Sequence, residues 1–240
     1  MINQFLRLHR FLVSQSFYPI VLATGLAFSM YAVRVIDSGS WVVYANLVWN
    51  LFLAWVPYTF SILAAGLHQI APRHWWLLII PGGVWLIFFP NAPYIVTDFL
   101  HLEQRPEVSL WYDILLLSTF SITGIFLAVT SLHTMQRLIK HYLGGVVSWL
   151  FVFSALSFGG LGIYLGRFER WNSWDLFFYP KNILADITRR FIDPLDNLRF
   201  FGFTILYTAF LLVCYLMFTS VGHSSEGERN KAITQPKARL

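Results

Sequence analysis

Charge is what this chain has least of. Charged residues fill 12% of its 240 positions, about half of the roughly 25% usual in soluble domains, while apolar residues reach 57%. With a mean hydropathy of +0.58, the chain has too little polar surface to clothe a water-soluble globule. Cysteine is reduced to Cys214, inside the last apolar run, which excludes an internal disulfide and leaves a small buried hydrophobe. GxxxxGK[ST], GxSxG and GxGxxG are all missing, so nucleotide-driven transport and serine hydrolysis have no motif behind them. His68, His74, His133 and His141 fit neither HExxH nor a Cys/His zinc spacing, so we expect no metal and no cofactor. A formal charge of +5 and a pI near 9.4 raise the question of nucleic acid. The 17 basic residues are spread thinly, however, and anchoring to membrane lipids explains them without a nucleic-acid partner.

What is present is apolar length. Crossing a bilayer takes about 20 apolar residues, and six runs qualify: 17–36, 41–65, 75–96, 112–133, 143–166 and 200–221. The expected fold is therefore all-α, a polytopic transmembrane helix bundle occupying residues 1–221 as one domain. Residues 1–15 space their apolar side chains as a short surface helix, and 182–199 read as an interfacial amphipathic helix. The run after Arg7 and Arg10 is too long for a cleavable signal core, so a retained first span is expected. The polar segment 222–240 reads as a disordered tail. Counting Lys and Arg with the N-terminus inside gives nine inside against eight outside, a slim preference for both termini in the cytoplasm. No Asn-x-Ser/Thr sequon occurs, consistent with a bacterial cytoplasmic membrane. In either orientation the third and fifth connections share one membrane face.

The third run ends in Pro90-Asn91-Ala92-Pro93-Tyr94, with Thr97 and Asp98 following. Each proline removes a backbone donor, which would free the carbonyls of Leu86 and Phe89. In hydrocarbon, freed carbonyls are tolerated only against protein or an aqueous cavity, so the break marks a candidate cation or polar-solute site with Asn91, Thr97 and Asp98. The plainer reading is a proline-marked exit, with Thr97 or Asp98 capping the next helix.

A second cluster closes the fifth run: Arg167, Glu169, Arg170, Asn172 and Asp175 among Phe168, Trp171 and Trp174. Guanidinium groups grip carboxylate or phosphate in pairs, which suits an anionic headgroup clamp completed by Asn91, Asp98 or Asp113. The alternative pairs Arg167 or Arg170 with Asp98 or Asp113 simply to lock two connections together. Asp113 also sits where the first turn of a helix favours a carboxylate. Asn46 and Asn50, four apart, share a helix face suited to interhelical hydrogen bonds, and Gly162 and Gly166 form a GxxxG pattern suited to close packing.

The stretches Phe88–Asp98, Trp111-Tyr112-Asp113, Gly162–Phe168 and Arg170–Asp175 together resemble the domain-of-unknown-function family numbered 1361, multi-spanning bacterial membrane proteins, over about residues 40–220. The resemblance implies a helical membrane protein and carries no activity with it. The working expectation is a ligand site of Asn91, Thr97, Asp98, Asp113, Arg167, Arg170, Asn172 and Asp175, taking a small polar solute or a lipid headgroup, with transport as one use. A membrane enzyme acting on a lipid-linked substrate, with Asp98 or Asp113 as acid or base, and a scaffold without ligand remain open beside it.

Overall fold

The computed structural model describes residues 2–234, and side chains from 4 to 220. Helices follow one another without a β-sheet among the described residues: α1 (Ile2–Ser14), α2 (Phe17–Ser38), α3 (Ala45–Ile70), α4 (Ile79–Phe88), α5 (Asn91–Tyr94), α6 (Leu110–Phe168), α7 (Asp175–Phe178), α8 (Pro180–Ile192) and α9 (Leu198–Thr234). Short 3-10 turns, Trp75–Leu78 and Ile95–His101, flank α4 and α5. Five helical stretches are long and apolar enough to cross a membrane. Their outward faces carry large apolar side chains such as Leu22, Ile36, Ile80, Val146 and Leu206, each more than two-thirds exposed. In water such faces would drive aggregation, whereas lipid tails solvate them. This is an integral membrane protein.

α6 is two helices joined at Gly144, whose φ of +84° breaks the helical path in a region that residues with a Cβ rarely enter. The limbs 110–143 and 145–168 run antiparallel: along the first, Met135 lies by Gly82 and Gly124 by Ala92, in reverse order, whereas along the second Gly159, Gly162 and Gly166 meet Phe89, Pro90 and Tyr94 in the same order. The sequence placed a connection at 134–142, and those residues are instead the last turns of the first limb. Polarity at Gln136, Arg137 and Lys140 ends the apolar run without ending the helix. Neighbours hold it: Thr134 donates to the Gln15 amide oxygen at 2.7 Å, Tyr215 donates to Gln136, and the Tyr142 hydroxyl donates to the Pro72 carbonyl at 2.8 Å. Similarly, α9 continues to Thr234, so the backbone of 222–234, expected as disordered tail, is helical; residues 235–240 lie outside the described part. Extending an existing helix avoids the nucleation cost of starting one.

The core lies along α3, α4 and the first limb, with Leu47, Leu51, Tyr58, Trp85, Phe89, Leu116 and Phe120 all buried. Close approach is bought by missing side chains. A Cβ on Gly124 would sit 2.4 Å from the Ala92 carbonyl oxygen, and one on Gly162 2.7 Å from the Pro90 ring. The GxxxG expectation thus has its partner: the second limb packs on the proline break itself.

Gly124→Ala should therefore lower the thermal unfolding midpoint of the detergent-solubilised protein, by an overpacking cost of about 1–3 kcal/mol. Gly25→Ala, where an added Cβ meets nothing within 4 Å, should leave it level or slightly higher.

Candidate functional site

At the proline break one of the two expected free carbonyls keeps a partner. Pro93 cannot donate to the Phe89 carbonyl, but the Ala92 N–H takes its place at 3.2 Å, tightening the turn. The expected free carbonyl at Phe89 is thus occupied, and Thr97 caps no helix: its hydroxyl turns back to the Tyr94 carbonyl at 2.7 Å.

Thr97, Asp98 and Arg167 do meet. Arg167 donates from Nη2 to Asp98 Oδ1 at 2.6 Å, from Nε to the Thr97 hydroxyl at 2.8 Å, and from Nη1 to His101 Nε2 at 2.8 Å. Its guanidinium carbon stands 4.6 Å from the centre of the Tyr94 ring. The other Asp98 oxygen receives the Asn50 amide at 2.8 Å, with Asn46 at 3.5 Å on the first. Asp98 is 1% exposed and Arg167 10%. The two asparagines on one face of α3 thus serve the carboxylate from one side while the arginine serves it from the other.

Asp113 belongs to a second pair, with a partner outside the candidate set. Arg34 grips it in fork geometry, Nε to Oδ1 at 2.6 Å and Nη2 to Oδ2 at 3.0 Å, with both side chains sealed from solvent. Arg34 lies in the last turns of α2 and Asp113 in the first turn of α6, so each charge also faces the favourable end of its helix dipole. The signal was present in the sequence, as a lone arginine within the apolar run 17–36. Tyr44 links the pairs: its ring lies 4.8 Å from the Arg34 guanidinium carbon, and its hydroxyl donates to the His101 carbonyl at 3.4 Å. Burial pushes that hydroxyl above its ordinary pKa and keeps it a neutral donor.

The remaining candidates divide. Asn91 donates to the Phe88 carbonyl at 3.1 Å and the Ser173 hydroxyl at 2.7 Å, tying the break to the loop after the second limb. Asn172 and Asp175 form a local turn, the Asn172 N–H donating to Asp175 Oδ2 at 2.7 Å. Arg170 is exposed at a φ of +61° and makes no ion pair among the described residues. It is Glu169 that pairs, with Arg190 at 2.5 Å; Arg190 also holds Asp186 at 2.7 Å, and Trp171 donates to Asp186 at 3.2 Å. These contacts lay α8 across the loop.

Beneath α8 lies a cleft of about 190 Å³. Its walls come from α3 (Trp49, Asn50, Leu53), the break (Ile87, Pro90, Asn91, Tyr94), the second limb (Phe158, Leu161) and the loop (Trp171, Asn172, Ser173, Trp174), with Ile183 and Ile187 of α8 as the roof. Among the described residues no charged side chain lines it. Of the eight candidates only Asn91 and Asn172 reach its wall; Asn50, Tyr94 and Ser173 were not singled out as ligand residues, because their convergence depends on elements far apart in sequence.

Residues 49–214 match the model of a family described as a protein of unknown function, DUF1361. The chain belongs to that family. The match spans the break, both limbs of α6 and α8, and leaves α1, α2 and Arg34 outside it. No curated protein and no solved structure matches the chain.

Breaking a buried pair by removing one partner costs about 3–5 kcal/mol, because the other charge is left unpaired. Asp98→Asn and Arg167→Gln should each cut the yield of folded protein sharply, and the double variant should recover part of it; full yield from either single variant would contradict the pairing. Arg170→Ala should change neither yield nor unfolding midpoint.

Proposed function

We propose that the protein is a multi-pass protein of the bacterial cytoplasmic membrane, crossing six times with both termini inside, and that it binds a membrane-derived ligand in the cleft beneath α8. The observation that carries this reading is the cleft itself: a hollow walled by four separate elements and roofed by an amphipathic helix. Ligand sites are concave, mostly apolar and furnished with a few polar groups, which matches a wall of aromatic and aliphatic side chains around Asn50, Asn91 and Ser173. The two limbs of α6 supply the span count, since the 59-residue helix reverses at Gly144 and each limb is long enough to cross. Both termini then share the end that bears Arg7, Arg10, Arg73, Arg137 and Lys140, and the cleft lies on the outer face.

The paired charges argue against the other uses of the site. Neither Asp98 nor Asp113 lines the cleft, so neither is within reach of a ligand there as acid or base. The same internal neutralisation favours a second reading, a scaffold that binds nothing, in which the ion pairs only hold helices together.

Two measurements test the proposal. In a Cys214→Ser background, a membrane-impermeant maleimide added to intact cells should label Lys181→Cys and spare Arg73→Cys; labelling of both from outside would remove the six-span topology. Delipidated full-length protein should gain thermal stability from a bacterial lipid extract, up to about 2.7 kcal/mol when lipid is at 100 times its Kd. Leu161→Trp, which fills the cleft, should lose most of that gain, whereas an equal response in both proteins would support the scaffold.

A further inference from the structure

The polar side chains that line the cleft specify what kind of head group it accepts. Asn91 spends both amide protons, on Phe88 and Ser173, and its Oδ1 accepts no hydrogen bond among the described residues. Asn50 donates to Asp98 and likewise leaves its Oδ1 unused. Ser173 accepts from Asn91, so its own proton is free, and the Tyr94 hydroxyl has no partner among the described residues. None of the three unpartnered atoms, Asn91 Oδ1, Asn50 Oδ1 and the Tyr94 hydroxyl, is sealed from solvent. Two amide oxygens and two hydroxyls thus belong to side chains that line the space, beside Asn172, the indoles of Trp171 and Trp174, and otherwise apolar residues.

Charged head groups find no counterpart there. An anion would need Arg167, but that guanidinium is spent on Asp98, Thr97 and His101 behind the Tyr94 ring. A cation would need a carboxylate, and Asp98 is covered by Arg167 and Asn50; it would also share Tyr94 with a guanidinium already 4.6 Å from the ring centre. A carbon-only ligand would bury the amide oxygens without a hydrogen-bond partner, a loss of about 1–3 kcal/mol per group.

Size sets the rest. The cleft's 190 Å³ is far above the roughly 10–15 Å³ that one water needs in a cavity. That accommodates a head group and the first few carbons of a chain. The rim supplies a route for the remainder, because Trp49, Phe158 and Leu176 are apolar and partly exposed. Head at the loop end and chain along Phe158 and Leu161 is the posture of a lipid whose head lies at the membrane boundary.

We infer that the cleft beneath α8 binds an uncharged amphiphile with a hydroxyl-bearing head, of the monoacylglycerol or long-chain alcohol class, through Asn50, Asn91, Tyr94 and Ser173. This rests on the binding role proposed above and adds the class of ligand to it.

The test compares three probes that share one oleyl chain, 1-monooleoylglycerol, oleate at pH 8 and oleylamine, titrated into delipidated full-length protein and read by native mass spectrometry and thermal unfolding. Monooleoylglycerol should bind one per chain and at least tenfold more tightly than either charged probe. Leu161→Trp should abolish its binding while leaving the ligand-free protein folded; should that variant fail to fold, Ile187→Trp fills the same space from the α8 side and should give the same loss. Ser173→Ala should weaken monooleoylglycerol several-fold. Oleate or oleylamine binding as tightly as monooleoylglycerol, with loss in the filled variants, would overturn the head-group assignment and leave the cleft reading standing. No saturable binding of any probe, or equal binding in wild type and the filled variants, would overturn both.

Discussion

The buried contact between Asp98 and Arg167 is the constraint from which the loop end of this protein is built. Removing either ion from water costs several kcal/mol even after the surroundings relax, and attraction offsets this only when geometry is good and the remaining lone pairs and protons are occupied. Here they are occupied: Asn50 and Asn46 reach the carboxylate from α3, while Thr97 and His101 take the other guanidinium nitrogens. One pair thereby fastens three elements, α3, the segment after the proline break and the end of α6. Charged residues within membrane proteins face the bundle interior and pair with one another, and this pair does so at the seam where the chain is least regular.

That seam closes because the second limb lacks bulk where the break protrudes. Gly159, Gly162 and Gly166 lie against Phe89, Pro90 and Tyr94, and Gly124 of the first limb admits the Ala92 carbonyl. Without a hydrophobic drive between helices in lipid, dispersion contacts at short range and interhelical hydrogen bonds hold the bundle. The proline turn supplies the convex shape and the glycines supply the concave one. The Tyr207 hydroxyl, donating to the Pro93 carbonyl at 2.7 Å, then secures a carbonyl of the turn from α9.

Charge and cavity are kept apart by this arrangement. Asp98, Asp113, Arg34 and Arg167 form two neutral pairs joined through Tyr44 and His101, all outside the cleft, and the cleft itself presents amides and hydroxyls. Tyr94 and Asn50 stand on the boundary. Each turns one side to the ion pair and another to the hollow, so the pair fixes the orientation of groups that line the cleft without offering them its charge. The Glu169–Arg190–Asp186 chain does the corresponding work for the roof, holding α8 down on the loop.

Sequence alone determined the solvent, the helical class and the family, because each depends on local quantities: apolar length, sparse charge, and short motifs such as Pro90–Tyr94 and Gly162–Phe168. It also brought Asp98 and Arg167 within the same small set of candidates, since a buried carboxylate must find a cation. Only the tertiary structure decided which cation. Arg34 took Asp113 because two helix ends met, a long-range event that hydropathy does not encode. The turn at Gly144 escaped a reading by polarity because polar residues end a span without ending a helix. The cleft, too, emerged only in three dimensions, since its walls come from residues 49 to 187 and concavity is a property of how distant surfaces fail to fill the space between them.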